Sequence, residues 1–173
     1  TPHFIITSTV KRAEIQRLTQ FAEASYKILA KQLGTEPKQK LEMKLLNREE
    51  EANEYGQQFG EHLSSVYPGY VAHRDTGKPA AALYDGEAGR GYAHLHVAHA
   101  AAHKFIDETV PDAEKLPVWF VEGLATYTDR YVAADMRKWA CDNLVRRGGF
   151  DKIENDYKKF RISVDDVERS QKY

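Results

Sequence analysis

The sequence has a single cysteine, Cys141, which excludes an internal disulfide and any cysteine-based metal site. It has no excess of either charge. Twenty-five basic residues face 26 acidic ones, for a net charge of -1 with histidine neutral. That balance argues against general electrostatic binding to nucleic acid or to an anionic membrane. No apolar run approaches the roughly 18 residues that a membrane-spanning helix needs. No signal-peptide pattern of basic start, apolar stretch and small-residue cleavage site is present. No Asn-x-Ser/Thr site occurs, and the chain starts at Thr1. The compartment is therefore left open. A mature secreted or periplasmic chain, or a piece of something longer, fits these absences. Internal repeats and low-complexity tracts are lacking too.

What remains is a globular composition. Hydrophobic residues make up 42% of 173, enough for one compact domain with its own core. Aromatic and aliphatic residues are too plentiful for an intrinsically disordered chain.

The pattern along the chain is mixed at first and helical later. Residues 3–7 (HFIIT) read as a first strand. Residues 10–33 follow with helical spacing, Ile15, Leu18, Phe21, Ala22, Ile28, Leu29 and Leu33 on one stripe, and Gly34 as the stop. Leu41, Met43 and Leu45 alternate with Glu42 and Lys44, a half-buried strand. Asn47 reads as a helix cap with Glu50 three residues on, and the acidic run 49–51 as a solvated face. Residues 69–73 and 80–84 flank a turn-rich segment and suggest a hairpin. From about residue 91 the pattern is helical. Pro111 and Pro117 bracket a loop, Gly148-Gly149 marks a stop, and Ser163-Val164-Asp165-Asp166 caps a last short helix. The expected fold is α+β. A small, mostly antiparallel sheet in residues 1–90 packs against helices of an all-helical half, 91–173.

The chemistry concentrates between His94 and Tyr131. Four of the seven histidines, His94, His96, His99 and His103, fall within ten residues. His99 and His103 are four apart, so on a helix they share a face, and two imidazoles one turn apart can grip one metal ion. Downstream, Glu122 is an acidic residue in an apolar helical stretch (WFVEGLATY), a setting that wants a cation. Two histidines and a glutamate form one of the catalytic zinc sets.

The segment His99-Ala100-Ala101-Ala102-His103, followed by Glu122-Gly123-Leu124-Ala125-Thr126-Tyr127, resembles the zinc helices of the gluzincin metallopeptidases. These are thermolysin-like and aminopeptidase-N-like hydrolases with an H-E-x-x-H helix and a second helix that carries a glutamate ligand. Compact peptidase-MA-like domains are similar in having a small sheet before the two helices. The likeness covers residues 92–129. It implies one zinc per chain on His99, His103 and Glu122, and a peptide or protein as substrate. Thr126 would orient a ligand histidine from behind, and Trp119 and Leu124 would pack the second helix on the first. Ala80, Ala81, Ala82, Leu83 and Tyr84 would form a sheet edge that pairs with an extended substrate. The G-x-M-E-N exopeptidase motif has no counterpart in residues 80–91.

Ala100 stands where the family has its general base. Alanine accepts no proton, and loss of a general acid–base group costs about 10²–10⁴-fold in rate. The chain is therefore expected to bind zinc and to be inactive or nearly so. A designed Glu→Ala substitution and a natural pseudopeptidase that holds a peptide or partner protein both fit. The intact ligand set favours the first. A tetrahedral intermediate also needs an oxyanion partner, for which Tyr127, Tyr131 and Tyr157 are candidates by type. Plainer readings stand beside these. His94 and His96 can be ordinary polar residues, Glu122 can pair with Arg130 or Arg137, and the alanine stripe 98–102 can serve close helix packing. Cys141 reads as a small buried apolar residue.

Overall fold

The computed structural model describes residues 1–57, 70–71, 80–83 and 93–132. The expectations placed on Tyr84, Arg137, Cys141, Gly148-Gly149, Tyr157 and residues 163–166 fall outside these residues. In chain order the elements are β1 (Phe4–Ser8), α1 (Arg12–Leu33), β2 (Leu41–Leu46), α2 (Glu49–Gln57), β3 (Tyr70–Val71), β4 (Ala80–Leu83), α3 (Ala93–Thr109), a 3-10 turn (Ala113–Lys115) and α4 (Val118–Val132).

The four strands form one sheet in the order β1-β2-β4-β3. β1 and β2 are parallel, from Phe4 opposite Leu41 to Ser8 opposite Leu45. β2 and β4 are also parallel, from Met43 opposite Ala80 to Leu46 opposite Leu83. Only β3 and β4 are antiparallel, with Tyr70 opposite Ala82. The α+β class holds, and the last two strands pair as the hairpin reading expected. The mostly antiparallel sheet does not hold. The reason lies in the connection: a 22-residue helix between β1 and β2 carries the chain back to the end where it started, so the second strand runs parallel to the first. A second correction concerns β4. Neighbours on both sides make it an inner strand at Ala81 and Ala82, so among the described residues it is not the open edge expected for a substrate.

The helix ends obey local chemistry. Gly34 takes φ 65° and donates its N–H to the Ala30 carbonyl at 3.0 Å, a left-handed stop for which glycine has no steric penalty. At the start of α2, Glu51 rather than Glu50 reaches back. Its Oε2 accepts the N–H groups of Asn47 (2.9 Å) and Arg48 (3.3 Å) and the Thr9 hydroxyl (2.6 Å). These bonds hold the Glu51 carboxyl below its ordinary pKa.

The core lies between the sheet and the helices α1 and α3. Phe4, Leu18, Leu29, Leu41, Met43, Leu45, Val97 and Phe105 are all buried within it. Each such side chain contributes about 1.5–3 kcal/mol on burial. Tyr26 meets Phe4 and Phe105 edge-on at 6.2 and 5.1 Å. Almost every side chain of α3 from Ala93 to Asp107 is buried, as befits a helix covered on several sides. Its alanines let α1 come close: Ser25 Oγ donates to the Ala98 carbonyl at 3.1 Å. The alanine stripe therefore packs helices, as expected.

Candidate metal centre

The centre is built on α3 and α4. Alanine is the best helix former, and an alanine-rich α3 fixes His99 and His103 one turn apart. The loop after α3 turns through Asp112 at φ 55°, a conformation that short polar residues tolerate. It brings α4 back against α3. Val121 and Ala125 are buried along α4, and Leu124, half-buried, packs against both core clusters, as expected of it. The side chain of Trp119 lies outside the described set.

That packing places Glu122 over the histidine pair. His99 and His103 are 7% and 4% exposed. Their Nε2 atoms are 3.0 Å apart. Glu122 sets Oε2 at 3.3 Å from His99 Nε2 and Oε1 at 3.3 Å from His103 Nε2. The three residues form a group that could hold a metal ion. Two buried imidazole nitrogens and a half-buried carboxylate that face one another so closely are suited to a cation or to shared protons between them.

Behind His99 stands a residue that sequence reasoning passed over. Asp129 is 5% exposed, and its Oδ2 is 2.8 Å from His99 Nδ1. An aspartate at this distance can accept an Nδ1 proton, and in that tautomer the Nε2 lone pair is directed at His103 and Glu122. Burial pushes the His99 imidazole down. The hydrogen bonds and charges of Asp129 and Glu122 outweigh it and raise its pKa above the ordinary histidine value.

The role expected of Thr126 thus falls to Asp129, and Thr126 is exposed. Helix geometry explains the exchange. At 100° per residue, position 126 lies about 40° to one side of Glu122 and position 129 about 20° to the other. The α3 side is the second. The available signal was an aspartate seven residues after Glu122 on nearly the same face.

Other expectations separate. Tyr127 and Tyr131 lie about 140° and 180° around α4 from Glu122, each 49% exposed. Their rings are 5.9 Å apart, and the Tyr127 hydroxyl is 3.5 Å from Gln32 Nε2 on α1. Neither stands opposite the centre, so neither suits an oxyanion role there. Arg130 does not take Glu122: its Nε is 3.4 Å from Asp129 Oδ1. His94 is buried against Phe21, ring centroids 5.1 Å apart, and His96 is half-buried. Ala100, next to His99, is fully buried within the apolar cluster.

The chain matches no family model, no curated protein and no solved structure. What the centre can do is accordingly argued from His99, His103, Glu122 and Asp129 themselves.

Proposed function

We propose that this chain is a gluzincin-like zinc metallopeptidase domain whose ligand set is complete and whose proton-transfer position is empty of chemistry. The observation that carries the reading is the convergence of three donor groups from two helices at 3.0–3.3 Å, with Asp129 behind His99. Bonds of roughly 2.0–2.1 Å to a tetrahedral zinc would place neighbouring donors about 3.3 Å apart. Two imidazoles and one carboxylate would hold the ion with three protein donors, the number found in catalytic zinc sites.

When bound, zinc supplies Lewis-acid polarisation of a carbonyl and a lowered pKa for its water. The chain's own residues do the rest. His99, His103 and Glu122 hold the ion. Asp129 keeps the His99 proton on Nδ1 and fixes the ring. Ala100 can neither take a proton from water nor return one to a leaving amine. The reaction suited to such a centre is hydrolysis of a peptide bond in a peptide or protein, and this chain performs it weakly or not at all.

Restoring the base tests the proposal. Ala100→Glu, folded and zinc-loaded, is expected to cleave members of a broad peptide library about 10²–10⁴-fold faster than the parent chain. No cleavage by that folded variant would remove the peptidase reading.

A second reading is a zinc-binding module that holds peptide without turnover. The complete burial of Ala100 among apolar neighbours favours it, because a carboxylate there would be desolvated. That reading expects Ala100→Glu to lose stability and gain no activity, while zinc and peptide still bind the parent chain.

A further inference from the structure

A cavity unrelated to the candidate metal centre lies beside the same helix. Its volume is about 440 Å³, and it opens between the α1–β2 connection and the C-terminal half of α3. Its α3 wall is formed by Lys104, Glu108 and Thr109, not by the metal-centre residues. The volume falls in the roughly 300–1,000 Å³ range of small-molecule sites.

Lys104 is the informative residue. It is 3% exposed, and a charge so deeply buried is costly unless its donors are used. An ammonium carries three N–H donors. One goes to Glu108 Oε1 at 2.6 Å, which among the described residues is the only hydrogen-bond partner of Lys104. Two donors remain on a residue that lines the cavity, and acceptor oxygens of a ligand or of water would satisfy them.

The rest of the lining decides which ligand. Lys38, Lys40 and Lys104 line the cavity together with Glu36, Glu42 and Glu108, and Glu36 already accepts a hydrogen bond from the Tyr26 hydroxyl. Lys40 is already engaged, its Nζ 2.8 Å from the Thr1 carbonyl. A bare anion such as phosphate would meet three carboxylates. A bare cation would meet the lysines. A ligand that carries one charge of each sign matches the lining at both ends.

We propose that this cavity binds a zwitterionic amino acid or short peptide, with its carboxylate on Lys104 and its ammonium toward Glu42 and Glu36. The inference does not rest on the zinc reading.

The test is isothermal titration calorimetry of the protein as purified with alanyl-alanine, against its N-acetylated and C-amidated forms. Saturable binding of the free dipeptide is expected, weakened about tenfold or more when either charge is blocked. Lys104→Met and Glu42→Gln should each weaken it similarly, and His103→Ala should leave it unchanged. Glu42 is exposed, so Glu42→Gln keeps the test decisive if Lys104→Met does not fold. Three results would overturn the proposal: no saturable heat, which assigns the cavity to water; equal binding of the blocked dipeptides; or loss on His103→Ala without loss on Glu42→Gln, which assigns the peptide to the metal centre.

Discussion

In the proposed zinc centre, Asp129 is the side chain that would matter most without being a ligand. It holds His99 by Nδ1 at 2.8 Å, and partners of this kind typically set metal affinity by about 10–100-fold. Asp129→Asn should therefore weaken zinc binding by about that factor, as measured by competition with a chromogenic chelator. Thr126→Ala, at an exposed position, should leave the affinity unchanged. Equal effects of the two would return the role to Thr126. Gly34 gives a second test, of stability. At φ 65° with nothing near an added Cβ, Gly34→Ala meets backbone strain alone and should cost about 1 kcal/mol in urea unfolding. The histidine pair was legible in the sequence because His-x-x-x-His states its own geometry. Asp129 was not, because the side of α4 that meets α3 depends on how the two helices pack, and helical spacing offers Thr126 and Asp129 almost equally.

The elements are joined by a few polar clasps, and one of them responds to acid. His3 at the head of β1 donates its backbone N–H to Glu23 Oε1 at 3.0 Å, and its ring Nδ1 lies 2.6 Å from Oε2. The ring also stacks on Tyr26 at 3.9 Å. Burial pushes the Glu23 carboxyl up, but hydrogen bonds from His3 and Thr1 and the charge of His3 outweigh it and hold the pKa below the ordinary value. A carboxyl depressed in the folded state stabilises fully above its unfolded pKa. That contribution is lost as the pH falls through the folded value. Glu23→Gln should accordingly cost about 1 kcal/mol at neutral pH and flatten the acid limb of stability against pH, as read by urea unfolding at several pH values. An unchanged acid limb would mean that the clasp carries no proton linkage. At this scale strand and helix positions were legible within a residue or two in the first half of the chain, since apolar periods of 2 and 3.6 mark them. Strand direction was not. Leu41, Met43 and Leu45 alternate alike in either direction, and only the return path through α1 selects the parallel pairing. The same limit displaced the expected substrate edge, because the alanines of β4 do not reveal that β2 pairs along the side away from the hairpin.

Across the molecule, the candidate metal centre lies where α3 and α4 meet, beside apolar contacts of Val121, Leu124 and Ala125. An ion held by His99 and His103 on α3 and Glu122 on α4 binds the folded state and not the unfolded one, so it should raise stability by mass action. At free zinc about a thousandfold above its dissociation constant the gain is about 4 kcal/mol. Zinc removal should lower the thermal midpoint of the parent chain and leave that of His103→Ala unchanged. The most direct test of the account is the zinc content of dialysed protein by elemental mass spectrometry, with His103→Ala beside it. The account expects close to one zinc per chain, lost in the variant. No zinc in the parent chain, with a thermal midpoint indifferent to added zinc or chelator, would contradict it and leave His99 and His103 as a purely structural pair.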